Sequence, residues 1–96
     1  MIACYILYNL FSNKYYVGFT QESMDERLEK HNSGFYDKSY TATIAGKWEV
    51  YILIECMSVS QALKIEKHIK AMKSKKYIQN LKVYPEIIDN LKQKYK

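Results

Sequence analysis

Five side chains in this sequence could together carry out acid–base and phosphate chemistry: Tyr5, Tyr16, Arg27, His31 and Glu66. A hydroxyl or imidazole can take a proton from water, a guanidinium can hold a phosphoryl oxygen, and a carboxylate can hold one hard divalent cation. That set suffices for phosphodiester hydrolysis. Two features single it out. Of the 15 basic residues, 14 are Lys and one is Arg, so Arg27 stands where a flat fork that can grip a phosphate bidentately replaces the usual ammonium. Glu66 falls, at about 100° per residue, inside the apolar arc of Ala62, Ile65, Ile69 and Met72. A carboxylate there is costly unless it is paired, protonated or bound to a metal. Plainer readings stand beside these. With ten tyrosines in 96 residues, Tyr5 and Tyr16 can be ordinary amphipathic strand residues. His31 can serve a helix C-terminus, Arg27 can pair with Ser23 or Glu26 on its own helix, and Glu66 can pair with Lys70.

The elements that must position these groups follow from local pattern. Residues 2–8 and 15–20 are β-branched and aromatic and read as strands, with Ser12-Asn13-Lys14 supplying the turn of a hairpin. If Leu10 pairs with Tyr15 across a four-residue loop, facing positions sum to an odd number. Tyr5 and Tyr16 then share one face, and Gly18, nearly opposite Tyr5, leaves room for a ligand or a close backbone approach. Ser23 opens a helix through a Ser23-Met24-Asp25-Glu26 capping box, and Asn32-Ser33-Gly34 closes it. Arg27 and His31, one turn apart, are neighbours on that helix.

Residues 35–47 lack a period and read as a loop offering Phe35, Tyr36, Lys38 and Tyr40 for contacts. Trp48 to Cys56 reads as a third strand, its run Val50–Ile54 suggesting burial on both sides. A helix follows from about Ser58 or Ser60 to Met72, on which His68 should face solvent, opposite Glu66. Ser74 caps a short helix over residues 75–81. Pro85 opens a last amphipathic helix, within residues 84–96, with Ile87, Ile88, Leu91 and Tyr95 inward.

These elements predict one domain over residues 1–96, of the α/β (α+β) class, with a sheet flanked by helices. The composition, 48% hydrophobic and 26% charged, is that of a folded globular chain. No apolar run approaches the roughly 18 residues of a membrane span, and no signal-peptide pattern opens the chain, so a cytoplasmic protein without a membrane partner is the expectation. Cys4 and Cys56 lie far apart without metal-ligand spacing and read as buried thiols. The net charge of +5 favours a polyanionic partner. For the lysines at 64, 67, 70, 73, 75 and 76, a solvated helical face and a phosphate track are both open.

The residues in order resemble the GIY-YIG nuclease family, named for two triplets about ten residues apart. Here these are Ala3-Cys4-Tyr5 and Tyr16-Val17-Gly18, followed by Arg27 and Glu66. Further matches resemble its small stand-alone bacterial members, related to the nuclease domain of the excision-repair endonuclease: Lys14 to Thr20, Glu26-Arg27-Leu28, His31-Asn32-Ser33-Gly34, Tyr40-Thr41, Trp48-Glu49, Ser60-Gln61-Ala62 and Glu66 to Lys70. The resemblance covers residues 2 to about 81. It implies a three-stranded antiparallel sheet flanked by helices and a metal-dependent endonuclease acting on DNA, with RNA as the other nucleic acid to consider, in repair or recombination. It implies roles as well. Tyr5 would help activate water, Tyr16 would be its hydrogen-bonding companion, and Arg27 would stabilise the phosphate. His31 would assist proton transfer or phosphate contact, and Glu66 would hold one Mg²⁺ or Mn²⁺, largely through its hydration shell.

Departures from the family pattern are visible. The first triplet keeps only its tyrosine. Phe19 stands where some members carry a lysine, a contribution that Lys14 or Lys38 would have to supply, and the late family asparagine matches Asn80 only loosely. The expectation is that no separate DNA-binding domain is attached, which would leave substrate choice to this surface or to a protein partner. A nucleic-acid binding module of the same fold with little cleavage is the main alternative. An RNA-recognition sheet built on the tyrosine strands would need a Lys/Arg-Gly-aromatic core that is absent. A purely structural role would show no salt-dependent affinity for nucleic acid.

Overall fold

A computed structural model describes residues 1–32 and 48–96. Two strands, β1 (Ala3–Asn9) and β2 (Lys14–Thr20), form the hairpin; helix α1 (Met24–Asn32) follows, then strand β3 (Trp48–Glu55). Helices α2 (Val59–Met72), α3 (Lys75–Val83) and α4 (Glu86–Lys94) complete the chain. The sheet is antiparallel in the order β2-β1-β3. The architecture is thus the expected α+β one, a three-stranded antiparallel sheet with helices around it.

The hairpin register differs from the expected one by one step, with Asn9 rather than Leu10 closing the loop against Lys14. Asn9 explains the shift. Its Oδ1 accepts from the backbone N–H of Phe11 and Ser12, both at 3.0 Å, and its carbonyl accepts from Asn13, which adopts a left-handed φ of 55°. Asparagine favours such local turns because its side chain mimics a backbone turn. Facing residues still sum to an odd number, so Tyr5, Leu7, Tyr16 and Gly18 share a face and Tyr5 lies directly opposite Gly18.

Strand β1, not β3, is the one buried on both sides. As the central strand it has Cys4 and Ile6 in one apolar cluster and Tyr5 and Leu7 in another. The larger cluster lies under α2, α3 and α4, where Ile65, Ile69, Ile78, Leu81 and Leu91 meet Val17, Ile52 and Ile54. The smaller one lies under α1, whose Met24 and Leu28 pack on Trp48 and Tyr16. Strand β3 is an edge strand that alternates, leaving Val50 and Leu53 exposed, and a bulge opposite Ile6 and Leu7 makes Tyr51 its extra residue. A period-blind apolar run therefore overstates its burial.

Ser58 and Ser74 cap α2 and α3, accepting from the backbone N–H of Gln61 and Tyr77. Two expectations for α2 fail. Met72 is exposed rather than inward, while the polar Gln61 is buried, bonding the Met57 N–H and the Lys92 carbonyl and so tying α2 to α4. His68 does not face solvent freely. It meets the Tyr95 hydroxyl at 2.9 Å through Nδ1 and packs against the rings of Tyr77 and Tyr95, because α4 folds back over that side of α2. Pro85 stands at the N-cap of α4, whose Leu91 is buried and whose Ile87, Ile88 and Tyr95 pack on the larger cluster, as expected. Cys4 is buried and Cys56 half-buried, both as free thiols. Among the described residues no helix is long and apolar enough to cross a membrane. The loop expected over 35–47, the glycine stop at Gly34, and Lys38 and Tyr40 lie outside the described residues.

Candidate active site

The site starts from Tyr5. Its place in the central strand, over the α1 face, leaves it wholly buried. Gly18 makes that possible: a Cβ there would lie 2.5 Å from both Cζ and Oη of Tyr5, so the tyrosine ring occupies the space a side chain would need. The close approach that a glycine at this position permits is therefore made by the protein's own tyrosine.

Helix α1 delivers two groups to the Tyr5 hydroxyl from positions one turn apart. Arg27 Nε donates to Oη at 3.0 Å, with the guanidinium carbon 5.9 Å from the ring centroid. His31 Nε2 lies 2.8 Å from the same oxygen. Burial, and secondly the charge of Arg27, lower the His31 pKa to about 4. The imidazole is then neutral at neutral pH, with one donor and one acceptor nitrogen. With Arg27 Nε donating to Oη, both neutral tautomers fit the geometry: the Tyr5 O–H donates to His31 Nε2, or a protonated Nε2 donates to the second lone pair of Oη. In the first of these, the tyrosine proton points at a base while a cation faces its oxygen.

Tyr16 adjoins this pair, its ring 5.0 Å from that of His31, 6.3 Å from that of Tyr5 and 6.3 Å from Trp48. Asn32 fixes the end of the helix: its amide accepts from the Trp48 N–H at 2.8 Å and donates to the Trp48 carbonyl at 3.0 Å, joining α1 to β3. Tyr5 and His31 are sealed, whereas Arg27 reaches the surface, in an open pocket of about 370 Å³ lined also by Phe19, Thr20, Gln21 and Glu22. Four of the five expected residues therefore come together.

Glu22, absent from the sequence reading, belongs to this arrangement. Its carboxylate accepts from Lys30 Nζ at 3.0 and 3.2 Å and lies 3.6 Å from Arg27 Nη1. Lys30 first, and then Arg27, hold its carboxyl below the usual range. Thr20 Oγ1 accepts from the Glu22 N–H at 3.0 Å and so shapes the turn that presents it. The only sequence signal was an acid just outside the helix cap, too common to select.

Glu66 stands apart. It lies on α2, which packs on the opposite face of the sheet from α1, and no bond among the described residues joins it to the Tyr5 group. The carboxylate is part-exposed rather than enclosed in the apolar arc, and it accepts from Lys70 Nζ at 3.0 Å, one turn on. Its charge, after burial, raises the pKa of the Cys4 thiol, the residue preceding Tyr5. Asn80 is on α3, also on that opposite side, and Lys14 is exposed at the start of β2 beside a groove lined by Lys70, Lys73 and Lys75.

The model of the GIY-YIG catalytic domain matches residues 1–79, a span holding the sheet, α1, α2 and all five expected catalytic positions. No curated protein and no solved structure matches.

Proposed function

The chain belongs to the GIY-YIG family, and from that premise we propose that it is an endonuclease hydrolysing DNA phosphodiester bonds with one divalent cation. The observation that carries the reading is the Tyr5 hydroxyl held between a cation and a neutral imidazole. In this reading Tyr5 relays a proton from the attacking water to His31 Nε2, and Arg27 stabilises the negative charge that develops on the tyrosine oxygen and on the phosphate. The substrate phosphate enters at the Arg27 pocket, where its oxygens take over the guanidinium from the 3.6 Å contact with Glu22. Nη1 passes from Glu22 to the phosphate while Nε keeps its bond to Tyr5 Oη.

Among the described residues no three His, Cys, Asp or Glu cluster as a closed metal cage. A single part-exposed carboxylate fits a different ion, the hydrated Mg²⁺ or Mn²⁺ that takes one or two carboxylates and completes its shell with water and substrate phosphate. Glu66 is the residue proposed to hold it, sharing its carboxylate with Lys70 until the ion arrives. Such an ion would neutralise charge on the phosphate and its leaving oxygen.

One observation favours a second reading, a nucleic-acid binding module with little cleavage: Glu66 and the Tyr5 group lie on opposite faces of the sheet. Nicking of labelled DNA with Mg²⁺ or Mn²⁺, against EDTA and against Glu66→Ala, separates the two. Metal-dependent nicking lost in Glu66→Ala supports the nuclease. Salt-sensitive binding without cleavage in any metal supports the module.

A further inference from the structure

The face of β2 that carries Tyr15 and Val17, opposite the Tyr16 side, borders a second groove of about 310 Å³. Its floor is apolar, made by Val17, Ile69 and Ile78, and its rim carries Lys14, Lys70, Lys73 and Lys75. Tyr15 forms an aromatic wall. That wall is held in place by its neighbours, with ring centroids 5.0 Å from Tyr8 and 5.1 Å from Tyr51. Lys75 Nζ donates to the Asn13 carbonyl at 3.0 Å and so ties α3 to the hairpin loop at the groove's end. Lys70 also binds Glu66, which brings the proposed metal carboxylate to the groove's lip.

A ring of lysines matches phosphates, and an apolar floor with one rigid aromatic wall matches the flat face of a base. In a duplex that face is stacked and paired; only an unpaired nucleotide can offer both at once. We propose that this groove binds an unpaired segment of the substrate strand, phosphates on the lysine rim and a base against Tyr15. The protein is therefore suited to DNA with a single-stranded or branched portion beside the cut. This rests on the nuclease reading for the identity of the substrate, but binding and cleavage are scored separately.

The test is fluorescence anisotropy in EDTA over a range of salt, with labelled single-stranded and duplex DNA. Wild type is compared with the triple variant Lys14→Gln, Lys73→Gln, Lys75→Gln and with a control that loses the same charge elsewhere, Lys64→Gln, Lys67→Gln, Lys96→Gln. The expected result is tighter binding of the single strand, with the slope of log affinity against log salt flattened by about 2 units in the groove variant, at about 0.7 per phosphate contact, and nearly unchanged in the control. Tyr15→Leu should weaken single-strand binding roughly tenfold and leave the slope as it is, since stacking carries no charge. Equal losses in the two triple variants, or a slope untouched in the groove variant, would overturn the groove. Duplex bound as tightly as single strand would overturn the unpaired segment. Cleavage without groove-dependent binding defeats the groove alone, and groove-dependent binding without cleavage defeats the nuclease alone.

Discussion

The two faces of one strand divide the work of this molecule. Toward α2–α4, β1 shows Cys4 and Ile6, and the layer they enter is built on isoleucines and leucines. Toward α1 it shows Tyr5, and the layer there buries a hydroxyl and an imidazole beside the guanidinium. Polar groups are buried at little net cost only where they meet partners. Tyr5 and His31 satisfy one another and Arg27, so the desolvation that would otherwise cost about 1–3 kcal/mol per orphaned group is offset. The apolar face supplies the stability on which that arrangement rests.

Variants that hit one face alone sharpen this contrast. The largest effect is expected from Ile65→Ala, which empties a fully buried site on the apolar face: about 2–5 kcal/mol of stability in chemical denaturation, with cleavage per folded molecule retained. Next comes the pH dependence of the polar face. The folded His31 pKa of about 4 lies below its ordinary 6.5, so the unfolded chain binds the extra proton first. The stability His31 contributes is complete above pH 6.5 and is lost as pH falls toward 4, roughly 3 kcal/mol in all at about 1.4 kcal/mol per unit. His31→Gln should flatten that part of a denaturation-against-pH series.

Gly18→Ala forces the Tyr5 ring off its place and should cost about 1–3 kcal/mol while depressing nicking. The smallest change is Lys70→Gln, an exposed one-turn pair worth about 0.3–0.5 kcal/mol, which should scarcely move the melting temperature yet tighten Mn²⁺ binding by freeing Glu66. An unchanged Mn²⁺ affinity would break the link between Lys70 and the metal carboxylate.

Much of the polar face was legible because its signals are short-range or arithmetical. The odd sum that puts Tyr5 and Tyr16 on one side survives a register error of one step, since moving both partners by one residue preserves parity. The i, i+4 spacing of Arg27 and His31 likewise needs only a helix. The failures came where tertiary context overrules pattern. Whether β1 or β3 is central depends on strand order, which an apolar run such as Val50–Ile54 does not encode. His68 is covered by α4, a helix that meets it from 27 residues away at Tyr95. Glu66 shows both outcomes. Its pairing with Lys70 was one of the readings open from spacing alone, whereas its place on the face opposite Tyr5 required the fold.

In the proposed reaction the Tyr5 hydroxyl, between Arg27 and His31, takes the proton of the attacking water. The measurement that tests it most directly is single-turnover nicking by Tyr5→Phe, with circular dichroism and DNA binding recorded on the same preparation. Tyr5→Phe should fold, still bind DNA and cut it about 10²–10⁴-fold more slowly. Nicking at the wild-type rate would contradict it.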